Sequence, residues 1–134
     1  MSSVKGGTID VPLTAGGTIS QYEPVMLDTS DATGLTVIRV AATTDIPYGV
    51  AQQDAVSGQS VDVRTRGETL MRCGSGGVTV GLLAGIDSSD KTEIANITEA
   101  GSGTTLAFVY GQICETKTNN QMVRVNLLMT RTLV

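Results

Sequence analysis

Few side chains in this sequence suit catalysis or ligand binding. There is no His, which removes Ser-His-Asp and Cys-His mechanisms, because both use an imidazole to take the nucleophile's proton. The same absence removes most zinc sites, since Cys73 and Cys114 cannot complete a four-ligand shell alone. Two cysteines are also too few for a disulfide framework, and buried free thiols are the expected state. Carboxylate and hydroxyl oxygens cluster at Asp28-Thr29-Ser30-Asp31 and at Asp87-Ser88-Ser89-Asp90. A calcium loop sets its carboxylates at alternate positions, with Gly sixth and Glu twelfth. Neither segment does so, and Asp and Ser that bond their own backbone make turns, so turns are expected at both. Gly74-Ser75-Gly76-Gly77 lacks the Lys-Ser/Thr and following helix of a phosphate loop and reads as a flexible connection.

Other polar groups admit a bland reading beside a sharp one. Ser89-Asp90-Lys91-Thr92 resembles the Asp-Lys hairpin tip of lipoyl carrier domains, where a protruding lysine carries a swinging arm. The position two before the Asp, usually acidic in that motif, is Ser88 here, and a solvated turn lysine is the simpler expectation. Arg64-Thr65-Arg66 sets two guanidinium groups on one strand face, suited either to carboxylates across an interface or to solvation of a strand end. Asn96-Ile97-Thr98 fits a glycosylation sequon, but Met1 to Gly7 lack the apolar stretch of a secretory leader, so the sequon carries no weight. The thirteen acids are scattered, and one Phe with three Tyr cannot line a sugar cleft. No catalytic set, no metal site and no cofactor is expected.

The elements that carry these residues follow from length and periodicity. A chain of 134 residues suits one domain. Leu, Ile, Val and Phe make up about a quarter of it, above the range of disordered chains. Net charge is −4 and the nine Lys and Arg are dispersed, which argues against a nucleic-acid groove. No run of about 18 apolar residues suggests a membrane span. Apolar residues recur with period two in Ser60-Val61-Asp62-Val63-Arg64 and Val123-Arg124-Val125-Asn126-Leu127, the pattern of half-buried strands. Leu35 to Ala41, Thr69 to Cys73 and Leu106 to Ile113 are further β-rich runs, separated by Gly and Ser clusters. Together these predict an all-β chain, a small barrel or sandwich of short antiparallel strands, with at most one helical turn near Gln52 to Val56.

The chain also matches itself. Tyr48-Gly49-Val50-Ala51 aligns with Tyr110-Gly111-Gln112-Ile113, and Gln59 to Arg64 with Gln121 to Asn126, both at an offset of 62 residues; the two acidic turns align at 59. These matches read either as coincidence or as two similar halves, 15–73 and 78–134, of a single β domain spanning 15–134. Residues 1–14 stand apart. Their glycines and Pro12 suggest an N-terminal arm that lies on a neighbour or along a sheet edge, or else a frayed terminus.

Leu13-Thr14-Ala15-Gly16-Gly17 leading to Pro24-Val25-Met26-Leu27-Asp28, and the block from Ile46 through Tyr48-Gly49-Val50-Ala51 and Asp54-Ala55 to Val63, resemble the capsid cement (head decoration) proteins of tailed phages. The likeness continues loosely through Gly67 and Thr79 to Leu83, and departs from the usual Ala- and Gly-rich pattern between Tyr110 and Gln121. It implies a small β protein, commonly a homotrimer, on the outer surface of the mature virion head. It implies binding to the major capsid protein at three-fold or quasi-three-fold positions, where it clamps the lattice, with no role for nucleic acid or membrane. Under that reading the contact residues expected on the arm are Val4, Lys5, Thr8, Ile9, Val11 and Leu13. Tyr48, Arg64 and Arg66 are expected near an interface. A receptor- or glycan-binding module of a phage appendage, and a carrier domain modified at Lys91, are the rival expectations.

Overall fold

A computed structural model describes residues 7–97 and 106–133, and among these it is built from nine strands and no α-helix. The alternation in the sequence sets the strand faces. In β5 (Ser60–Arg72), Val61, Val63, Thr69 and Met71 point inward, while Ser60, Arg66, Glu68 and Arg72 face solvent. In β9 (Met122–Leu133), Val123, Val125 and Leu127 do the same.

The strands close into two small barrels. In the first, β1 (Ile9–Ala15) runs parallel to β3 (Thr36–Arg39), which pairs with β2 (Pro24–Leu27), then β4 (Gly49–Ala51), then the first half of β5; β5 returns to β1 and shuts the ring. In the second, the latter half of β5 pairs with β9. The order then runs through β8 (Leu106–Ile113) and β6 (Leu83–Ile86) to β7 (Ile94–Ile97). A parallel bridge from Ile94 to Cys73, just past β5, closes that ring. Each barrel has its own core. One gathers Leu13, Ile19, Val25, Val37, Val61 and Val63; the other gathers Met71, Cys73, Ile94, Tyr110, Val123 and Val125. Tyr110 is fully buried, and its hydroxyl has no hydrogen-bond partner among the described residues.

The two barrels are one pattern used twice. The pair Val25↔Gly49 recurs as Ala84↔Gly111, Val50↔Arg64 as Gln112↔Asn126, and Leu13↔Val61 as Met71↔Val123. The parallel contact Ala15↔Val37 recurs as Cys73↔Ile94, and the bridge Ile19↔Ala55 as Val78↔Lys117. The acidic segments are turns in both copies. Asp28 and Asp31 accept the N–H of Ser30 and Thr33; Asp87 and Asp90 accept those of Ser89 and Thr92, each carboxylate mimicking a backbone turn two residues on.

Three sequence expectations need correction. The segment set apart as an arm is, from Ile9 on, strand β1 of the first barrel; its earlier part, residues 1–6, lies outside the described residues. Pro12 is tolerated there because it faces Asp62, whose amide donates to Gln53 Oε1 and whose carbonyl accepts from Gln52 N–H. Both groups point away from β1, so proline removes no ladder bond. Gln52 to Val56 is a turn held by the Ile19↔Ala55 bridge, with no helix. Finally, Thr69 to Cys73 is no separate strand: Thr69–Arg72 ends β5, which both barrels share.

Gly49 and Gly111 occupy equivalent sites where strands pass too closely for a side chain. A Cβ at Gly49 would stand 2.5 Å from the Arg64 carbonyl oxygen, and one at Gly111 would collide with the carbonyl of Asn126. Gly49→Ala and Gly111→Ala are each expected to destabilise by about 1–3 kcal/mol or more, as overpacking does. Gly17→Ala, with nothing within 4 Å, should leave stability nearly unchanged. Denaturant unfolding of the three variants checks this.

Candidate functional site

The place where β5 changes partners also forms an open groove in the surface. Asp10 faces Arg64, Ile9 faces Arg66, and Thr65 is therefore an extra residue that bulges the strand. One residue later Gly67 pairs with Leu127 of β9. Gly67 has φ +92°, and a Cβ there would meet the Cα of Thr8 at 2.8 Å, so both the turn and the crossing chain require glycine. Met129, 62 residues on, repeats the left-handed backbone with φ 47° at a bulge between β8 and β9. Bulging and partner exchange leave an open groove of about 980 Å³, with Thr8 and Ile9 on one wall, Leu127 and Leu128 on another, and Arg64 to Glu68 between.

The two arginines of the groove diverge. The Arg64 guanidinium donates through Nε and Nη2 to both oxygens of Asp10, at 2.8 and 3.1 Å, and through Nη1 to the Glu68 carbonyl at 2.9 Å. It straps β1 to β5 across the bulge, and Asp10 holds its pKa above the ordinary arginine value. Arg66 is exposed, with no hydrogen bond or ion pair to a described residue.

Of the residues expected at an interface, the fold brings Thr8, Ile9, Arg64 and Arg66 together at this groove. It removes another. Leu13 is buried inside the first barrel, and Val11 and Tyr48 pack their apolar surface against the same core. Leu13 therefore has no surface left for a partner, which corrects its assignment as a contact; Val11 and Tyr48 are half-buried and keep part of their surface exposed. Val4 and Lys5 lie outside the described residues. Missing from the sequence reading is Leu128, 51% exposed. Its signal was present: the inward series Val123, Val125, Leu127 is followed at once by a second leucine on the outward face.

The remaining candidate groups are engaged in the fold. The Lys91 ammonium donates to the Ser88 carbonyl of its own turn. Cys73 is buried and free, its thiol pushed up by burial and by Glu93 and Asp87; Cys114 is free and half-buried. No group of three His, Cys, Asp or Glu suited to a metal occurs among the described residues. Glu93 is buried beside Asp90 and Asp87, and burial first, then those two carboxylates, hold its pKa above the ordinary glutamate value.

Comparison with known proteins gives two findings. A family model described as phage cement protein matches residues 2–127. Among solved structures, the head fiber gp8.5 N base of bacteriophage phi29 superposes with a TM-score of 0.65 at 18% identity, covering 92% of this chain and 97% of that one. No curated protein matches.

Two outcomes follow from the site. Arg64→Ala should lower stability by about 1 kcal/mol, the scale of a partly solvated, two-pronged ion pair, while Arg66→Ala should change it by less than about 0.5 kcal/mol; chemical denaturation separates them. Because the folded-state pKa of Glu93 is raised, its favourable contribution is present at low pH and is lost as pH rises through that raised value. Glu93→Gln should therefore raise the melting temperature at neutral pH, and the difference should close well below the ordinary value of 4.5.

Proposed function

The chain belongs to the phage cement protein family, and we propose that it binds the outer surface of the mature head as a homotrimer, at three-fold or quasi-three-fold positions. There it stabilises the lattice of the major capsid protein. The observation that carries this reading is the family match over residues 2–127. Thr8, Ile9 and Arg66 are the contact residues on this reading, with Val4 and Lys5 just upstream of the groove.

The physical mechanism is linkage. A protein that binds only the assembled shell lowers the free energy of that shell relative to its dissociated parts. Each copy need contribute only a modest interface, since closed rotational symmetry presents three equivalent patches at once. Joined contacts then gain by effective concentration. Low charge and many exposed Thr side chains suit broad, weakly specific contact with a protein lattice.

The test is native mass spectrometry of the free protein, followed by co-sedimentation with expanded heads that lack it and heating of the loaded heads. A trimer that sediments with the heads and raises their disruption temperature is expected. A monomer that stays in the supernatant would overturn the proposal. Residues 1–12 cannot be deleted for this purpose, because that cut removes most of β1. Deleting residues 1–6 leaves every described strand intact and is expected to weaken attachment.

A further inference from the structure

The internal repeat exposes an unpaired edge. One strand position occurs three times along the chain: as β1, as the second half of β5, and as the end of β9, where Leu128–Leu133 lies 62 residues beyond Arg66–Met71. In its second occurrence this position carries a full ladder to β9, from Gly67↔Leu127 to Arg72↔Met122. In its third, β9 beyond Leu127 pairs only with β8, and no described strand takes its other side. A row of unpaired backbone groups is a template for another chain. Beside it, Leu128 and Ile9 expose about half of their surfaces on the groove walls, and the guanidinium of Arg66 has no partner among the described residues.

We propose that the groove receives an extended, acidic segment of the shell subunit, added as a strand along the β9 edge. Its backbone continues the ladder from Met129, the counterpart of Gly67, an apolar side chain covers Leu128 and Ile9, and a carboxylate meets Arg66. This rests on the capsid-attachment reading and deepens it. Strand addition obtains affinity from main-chain hydrogen bonds and specificity from the flanking side chains; here the flanking groups call for one apolar and one acidic residue. Charge complementarity favours a shell segment over a second copy: the open edge a second copy would offer among the described residues, Leu128–Leu133, carries Arg131 and no carboxylate to meet Arg66.

Three proteins test this on heads that lack the protein: wild type, Leu128→Lys, which blunts the edge, and Arg66→Glu, which reverses the charge. Both substitutions fall on exposed side chains, and melting curves are expected to match wild type. Each variant should lose occupancy by about tenfold or more, the effect of placing like charges or a buried ammonium in a contact. Hydrogen exchange of Leu128 to Leu133 in bound wild type should slow relative to free protein. Wild-type occupancy by both variants, or unchanged exchange on bound heads, would overturn the proposal while leaving attachment itself intact. Slowed exchange that appears without heads as concentration rises would also overturn it, by assigning the edge to a second copy. A wild type that binds no heads would instead refute the attachment reading on which the proposal rests.

Discussion

Everything in this molecule hangs on β5, one strand of 13 residues that belongs to two barrels. Its first half closes the first ring against β1 and β4, and its second half opens the second ring against β9. A strand can change partners midway only if its ladder is interrupted and redirected. The extra residue Thr65 and the left-handed Gly67 do this within three positions. The Arg64 to Asp10 ion pair and the Arg64 bond to the Glu68 carbonyl hold the two sides of the interruption together. The redirection also creates the groove. The same local departure from regular β geometry therefore joins the barrels and shapes the groove.

Closure is the second consequence. Short strands with one apolar face are marginal alone and hazardous at their edges. Wrapping five of them into a ring gives each neighbours on both sides, and sharing β5 lets nine strands complete two rings. The tight positions Gly49 and Gly111 and the aspartate turns recur in both rings because both solve the same closure with the same geometry. Among the described residues, the end of β9 beyond Leu127 pairs with β8 on one side and with no strand on the other.

A role in the virion suits this architecture for physical reasons. The chain has no His, and no three His, Cys, Asp or Glu among the described residues are grouped as metal ligands would be. Its β surface is interrupted by a groove with Ile9 and Leu128 on its walls and with Arg66, which has no partner among the described residues. Membership of the cement family places such a surface in the context of a capsid. Adhesion of this kind requires rigidity and repetition more than chemistry, and two locked barrels supply both.

What the sequence determined by itself is everything governed by near neighbours. Alternation at Val61, Val63, Val123 and Val125 dictated strands, because side chains of an extended chain point to opposite faces in turn. Asp28, Asp31, Asp87 and Asp90 dictated turns, because their carboxylates reach amides two residues ahead. The matching Tyr-Gly pairs at Gly49 and Gly111 were legible as either coincidence or repeat; where one barrel ends and the other begins, inside β5, was not. Tertiary structure alone decided the rest. Whether Ile9 to Ala15 is an arm or a barrel strand depends on β3 and β5, remote in the chain, and on Asp62 turning its polar backbone away from Pro12. Arg64 and Arg66 are indistinguishable in sequence; the bulge between them hands one to Asp10 and leaves the other for solvent, because a single inserted residue redirects every side chain that follows it.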